Sequence, residues 1–377
     1  MTYNLFFHPL RIYPGPKLWA ATQLPYTLMF NSGKAPHTIS SLHDKYGDIV
    51  RVAPNKLSYT DPDAWREIRG HRKAGQGEHG KDKDFYFNLR RSVLGATREE
   101  HGRTRRVLAH GFSAKSMQDQ MPLISQYIDL FVDRLRGLVQ KNNNQPTTVD
   151  IVSWFNFTTF DIIGDLAFGA PFGCLETSTT HPWVQALFDT TEQFSKRLTV
   201  LWYMPQLLNL TQVLFGLGKP VQQQIQFTKE RISRRLEMTE TRPDFVGSLI
   251  EANNKEGLSL TREEIEQNMR LLILAGSETT ATALSGVAYY LCKHPDVQKK
   301  LAEEVRTTFE TEDQIDMHNV SNLKYMLSVL DETLRIYPPV STTMPRTCQP
   351  DGDVILGKPV PGGVRFVVTV RSLHIAN

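Results

Sequence analysis

Two short stretches of this 377-residue sequence combine residue types that could do chemistry. The first is Ala275-Gly276-Ser277-Glu278-Thr279-Thr280, where a carboxyl group and a hydroxyl are neighbours. An acid and an alcohol held away from bulk water can pass protons in a controlled order, which is general acid–base work. The second is Glu332-Thr333-Leu334-Arg335, followed by Ile336-Tyr337-Pro338-Pro339-Val340. Residues three apart on a helix pair readily, so this spacing alone says little, and Glu100–Arg103 and Glu303–Arg306 repeat it. His101 and Arg105 stand one helical turn apart and suit a pair of carboxylates, as does Arg346 in Met344-Pro345-Arg346-Thr347. The plainer readings of these cations are a solvated helix face and a loop arginine.

The elements that must position these groups are legible in part. Thr261 to Glu264 has capping-box spacing and His294-Pro295 supplies a stop, which predicts one helical stretch of about 50 Å. Its centre holds Gly276, Ser277, Thr279 and Thr280, all poor or indifferent helix formers. A local opening is therefore expected there, leaving backbone groups and hydroxyls free to hold a small ligand or water. Two other readings stay open: two core helices that meet at Gly276, and a membrane-crossing helix over residues 271–292. The membrane reading ranks last, because a central acid costs about 2.5–3.5 kcal/mol on insertion scales.

The helix carrying Glu332 sets Leu323, Met326, Leu327, Leu330 and Leu334 along one stripe, with Tyr325, Val329 and Ile336 on the other side. A helix apolar on both sides is expected to be buried, and Glu332 and Arg335 with it. A buried ion pair is weak evidence for stability and is easier to understand if it fixes the geometry of something nearby. Pro338-Pro339 then forces an extended continuation.

Elsewhere the pattern is mostly helical with a small strand-rich portion. Ile49–Val52 and Lys56–Tyr59 read as short strands around Pro54-Asn55, and 364–370 reads as a strand opened by Pro361-Gly362-Gly363. An apolar strand of this kind needs a partner strand to cover it. Residues 70–84 read as a mobile surface loop. Ile128, Phe131, Leu135 and Leu138 mark one helix, and Phe155 to Phe168 another that breaks at Gly169. Residues 190–218 are rich in Leu, Phe, Trp, Tyr and Met. With 40% hydrophobic and 22% charged residues the composition is globular, and a net charge of +3 without a basic tract gives no case for a nucleic-acid partner. Cys174, Cys292 and Cys348 are odd in number and widely spaced, which suggests neither a disulfide framework nor a zinc site. The N-terminus has neither a signal-peptide pattern nor a run of 18 apolar residues.

Taken in order, these motifs resemble the cytochrome P450 family of haem-thiolate monooxygenases, in its fungal microsomal form. Residues 275–280 match A-G-x-[D/E]-T-[T/S], Glu332 to Arg335 leads into Pro338-Pro339, His101 stands four before Arg105, and Pro14-Gly15-Pro16 matches the hinge of membrane-bound members. The resemblance implies a mainly α fold with a small β-sheet portion (α+β), haem, and insertion of one oxygen atom from O2 into an apolar small molecule of secondary metabolism. It implies electrons from an NADPH-cytochrome reductase, a membrane surface, and a place on the cytosolic face of the endoplasmic reticulum. It further implies that Glu278 and Thr279 relay protons, that His101, Arg105 and Arg346 hold the haem carboxylates, and that Glu332 and Arg335 are a structural ion pair bracing the cysteine segment. The family's F-x-x-G-x-R-x-C-x-G loop is not in the sequence, and none of the three cysteines has its surroundings, so no metal ligand is assigned. Residues 1–16 are accordingly expected to be an N-terminal segment and hinge without its anchor, and residues 17–377 an incomplete cytochrome P450-like catalytic domain. The alternative is a degenerate, non-catalytic relative without thiolate-bound haem.

Overall fold

The computed structural model describes residues 1–72, 77–86, 89, 91–189, 196, 219–238, 242–256, 259–341 and 344–369. It is mainly helical with a small mixed sheet, the class expected from the sequence. Two compact units make it up, one of Met1–Asn88, Glu192–Phe215 and Val340–Asn377, the other of Leu89–Thr191 and Gly216–Pro339.

The first unit holds every described strand: β1 (Ile49–Ala53), β2 (Lys56–Tyr59), β3 (Gly80–Lys81), β4 (Arg346–Thr347), β5 (Asp353–Ile355), β6 (Lys358–Val360) and β7 (Arg365–Val368). Their order is β1-β2-β7-β4-β3, with β5 and β6 forming a separate pair. Strand β7 runs parallel to β2, with Leu57 opposite Phe366, and antiparallel to β4. Both of its edges are thus hydrogen-bonded, which lets Phe366, Val367 and Val368 be buried without orphaning backbone groups. The strand expected over 364–370 is this element; Val370 lies outside the described residues, as does 190–218 apart from Lys196.

Residues 70–84 are not simply a surface loop. Within them Gly80 and Lys81 pair with Thr347 and Arg346, while His79 and Asp82 are buried. Their polarity is accommodated by partners: Asp82 accepts from the Asp84 amide at 3.0 Å and pairs with Arg365 at 3.2 Å. Residues 73–76 lie outside the described residues. The Pro14-Gly15-Pro16 turn lies against β1, where the Arg51 amide donates to the Pro14 carbonyl at 2.7 Å. A Cβ on Gly15 would come within 2.4 Å of the Arg51 carbonyl oxygen, so this crossing needs glycine.

The second unit is helical. Its spine is Ile151–Phe168, buried on nearly every side through Trp154, Phe157, Phe160, Ile163, Leu166 and Phe168. An all-round apolar helix must be enclosed, and the 32-residue helix Arg262–Lys293 packs along it. Gly169 ends the spine in the left-handed conformation at φ 71°. The helix Lys324–Ile336 approaches the long helix where Gly286 sits, and a Cβ there would be 3.0 Å from the Tyr337 ring and 3.1 Å from Thr333.

Candidate functional site

The long helix begins with the expected capping box, in which Thr261 Oγ1 accepts from the Glu264 amide and Glu264 reaches back to the Thr261 amide. It then runs without interruption, so the opening expected at Gly276 is absent. Ser277 donates to the Ile273 carbonyl at 2.5 Å, Thr279 to Ala275 at 2.6 Å and Ser285 to Ala281 at 2.7 Å, so the hydroxyls are turned onto the helix's own backbone. Packing along the spine, not propensity, holds this stretch helical. Gly276 instead serves packing, since a Cβ there would stand 2.9 Å from Ile163 of the spine. The helix is long and apolar enough to cross a bilayer by length and composition, yet Ile265, Met269, Ile273 and Ala281 are buried in the protein.

Glu278 is the unusual group on this helix. Its Oε1 atom is buried and has no hydrogen-bond partner. Desolvation pushes the carboxyl above the ordinary glutamate range, so the protonated form persists to higher pH. Thr279 follows it in sequence, but successive residues on a helix do not face each other, and its hydroxyl is engaged by Ala275.

His101 and Arg105 lie on the helix Arg98–Ala109, which opens with a capping box between Thr97 and Glu100. Glu100 therefore caps the helix rather than pairing with Arg103. Arg103 instead bonds Glu264 and donates to the Ser259 carbonyl at 2.7 Å, which ties this helix to the start of the long one. His101 is half-buried and Arg105 exposed. Among the described residues no carboxylate pairs with Arg105. Arg346, on β4, is half-buried and its Nε is buried without a partner.

The Glu332–Arg335 pair forms with bidentate geometry, both hydrogen bonds being 2.6 Å. It is not buried as expected: the side chains are 54% and 42% exposed. Only Thr333 of this helix is buried, and Leu327 and Leu334 of the apolar stripe are themselves exposed. The hydrogen bonds from Arg335 hold the Glu332 carboxyl below its usual range. Glu304, which the sequence did not single out, accepts from the Tyr325 and Met326 amides at 2.8 Å each and so fixes the N-terminus of this helix.

Among the described residues no cysteine stands in a cluster of ligating side chains. Cys174 and Cys348 are buried, and burial pushes both thiols up to about 11. Cys348 also donates to the Val360 carbonyl at 3.7 Å, and Cys292 is exposed. A cavity of about 720 Å³ in the first unit is lined by Asn55, Lys56, Lys81, Asp82, Gln349 and Arg365 among others, and by none of the expected site residues. Its charged wall is unlike an apolar substrate pocket. Two buried polar atoms stand without a hydrogen-bond partner, Arg346 Nε in the first unit and Glu278 Oε1 in the second, and a free guanidinium donor of this kind suits a carboxylate such as a haem carries.

The family model described as Cytochrome P450 matches residues 14–376. Trichothecene C-15 hydroxylase of Fusarium sporotrichioides is 41% identical over 377 residues, covering 99% of this chain and 76% of the hydroxylase. A cytochrome P450 monooxygenase of Aspergillus oryzae is 40% identical over 376 residues, covering 98% and 75%. Averantin hydroxylase of Dothistroma septosporum is 40% identical over 374 residues, covering 97% and 68%.

Proposed function

The chain belongs to the cytochrome P450 family of haem-dependent monooxygenases, and from that premise we propose that it hydroxylates an apolar fungal secondary metabolite, with Glu278 as proton donor. When bound, haem supplies the activation of dioxygen and the insertion of one oxygen atom. The observation that carries the proposal is the buried Oε1 of Glu278, which has no partner to hold its proton or its charge. A desolvated acid of this kind keeps its proton to higher pH than an ordinary glutamate and can release it to a reaction that consumes protons. Thr279 is assigned as the second member of the relay on the strength of the motif; its hydroxyl donates to the Ala275 carbonyl and would have to turn from it to pass a proton on.

His101, Arg105 and Arg346 are assigned to the haem carboxylates, and Glu332 with Arg335 to bracing a neighbouring segment. Residues 17–377 are taken as the catalytic domain. Relatives named as hydroxylases support the reaction type, and the substrate class follows theirs. Electrons are assigned to an NADPH-cytochrome reductase, and the site of action to the cytosolic face of the endoplasmic reticulum. A membrane surface suits the first 43 residues, which hold no acid and expose Phe6, Phe7, Ile12, Leu18, Leu24 and Leu28.

A second reading, a family member that does not catalyse, is favoured by the placement of Cys174 and Cys348, both buried, with the Cys348 thiol donating to the Val360 carbonyl at 3.7 Å. One experiment separates the two. The protein is reconstituted with haem, reduced under carbon monoxide and examined by absorption. A thiolate-type spectrum together with substrate-dependent oxygen uptake supports the monooxygenase, and loss of product but not of oxygen uptake in Glu278→Gln supports the relay. A histidine-type spectrum, or none, favours the second reading.

A further inference from the structure

We propose that Arg69 joins Arg346 in a two-arginine cradle for one carboxylate of the haem, a contact to which no motif points. The inference rests on the haem reading above. Arg69 is the last residue of the helix Pro62–Arg69, and its guanidinium donates to the Met344 carbonyl, two residues before Arg346 at the start of β4. Its ring-facing side lies 4.8 Å from the Trp65 ring centre, which fixes the guanidinium from behind. The Nε atoms of Arg69 and Arg346 are both buried and both without a hydrogen-bond partner.

A buried guanidinium donor left unpaired is costly, and a second one close enough to act on it electrostatically adds repulsion to the desolvation penalty. Each depresses neither cost by pairing with a neighbouring acid. Asp353 is taken by Arg72 at 2.6 Å and lies 3.2 Å from His79, while Asp82 and Asp84 are taken by Arg365. Burial raises the Tyr86 phenol above its ordinary range, and the charges of Arg346 and Arg69 offset only part of that rise. Arg69 itself is drawn down chiefly by burial and further by Arg346. Two planar donors with no acid of their own are matched by an anion with two oxygens, and the haem brings carboxylates.

The test compares hemin with hemin dimethyl ester, whose carboxylates are blocked, by absorption titration of the 377-residue protein, Arg69→Gln and Arg69→Lys. The wild type should prefer hemin by about tenfold, and Arg69→Gln should lose several-fold of hemin affinity while its ester affinity stays the same. Arg69→Lys should fall between them. Unchanged hemin affinity in Arg69→Gln would overturn the cradle and leave the haem reading standing. If neither compound binds any variant, the haem reading fails, and the cradle is then decided by thermal unfolding in succinate against chloride at equal ionic strength. Stabilisation by succinate that Arg69→Gln abolishes keeps a carboxylate cradle with another occupant; an equal response in both proteins ends it.

Discussion

Two arginine–carboxylate pairs in the helical unit share the same bidentate chemistry and differ in almost everything else. Arg235 donates from Nε to Asp244 Oδ2 at 2.7 Å and from its NH2 group to Oδ1 at 3.0 Å, with the two side chains 2% and 0% exposed. Glu332 and Arg335 make bonds of 2.6 Å on an open helix face. The buried pair is embedded in further bonds. Asp244 Oδ1 accepts from the Gly247 amide at 2.7 Å, Arg242 reaches Asp165 at 2.7 Å, and the Tyr127 hydroxyl donates to Asp165 at 2.8 Å. Removing two charges from water is tolerated only when the remaining lone pairs and protons find partners, and here they do. The exposed pair needs no such shell, and water can replace either partner.

The largest expected effect comes from breaking the buried pair. Asp244→Ala leaves Arg235 charged and enclosed, which should cost about 3–5 kcal/mol of unfolding free energy by urea titration. A loss below about 1 kcal/mol would mean that water reaches Arg235. Gly169→Ala attacks the same pair from its backbone side. The residue holds φ 71°, and a Cβ would stand 2.6 Å from Arg235 Cδ, so about 1–3 kcal/mol should be lost. Gly137→Ala is the control: no atom lies within 4 Å of its added Cβ, and helix propensity should stabilise the protein by up to about 1 kcal/mol.

The contrast also locates what the sequence could and could not say. Local signals were legible: the capping box at Thr261, the strands around Pro54 and the stop at Gly169 are all written in residues a few positions apart. The family motifs were legible for the same reason. Burial was not, because a helical wheel ranks the faces of one helix without saying which face another element covers. It gave Glu332 two apolar flanks that are only partly covered, with Leu327 and Leu334 exposed, and it gave no hint of Asp244, whose partner Arg235 lies on a separate helix. The unbroken centre of the long helix was missed differently. Low propensity at Ser277 and Thr279 is a weak signal that tertiary packing overrides, and here the helix packs along the spine with Gly276 against Ile163. At the candidate site the acid was visible and its isolation was not, while Arg69 had no sequence signal because only β4 brings Arg346 to it.

Between the two pairs stands Glu278, half-buried, with its Oε1 atom enclosed and unpaired. Its folded carboxyl is raised by desolvation above the ordinary value of 4.5, so folding penalises the ionised form. The sign follows from linkage: the penalty is absent below the unfolded value and grows as pH rises through the folded one. Glu278→Gln should therefore raise the thermal midpoint at pH 7, and the gain should vanish as pH falls below about 4.5. A stabilisation that persists unchanged into acid would show that shape, not charge, is being relieved.

The smallest effect is expected at the exposed pair, and it is the sharpest test of the comparison. Arg335 holds Glu332 below its usual range, so any stabilisation from the pair is present above the unfolded carboxyl value and disappears as pH falls through the folded one. Both side chains are solvated, so salt should screen what remains. Glu332→Gln and Arg335→Ala should each leave the thermal midpoint at pH 7 in 0.5 M sodium chloride where it is in the wild type, while any small drop at low salt should fade as salt is added. A drop that survives high salt would place the pair in a desolvated setting. That would erase its difference from Arg235–Asp244 and restore the burial that its apolar flanks predict.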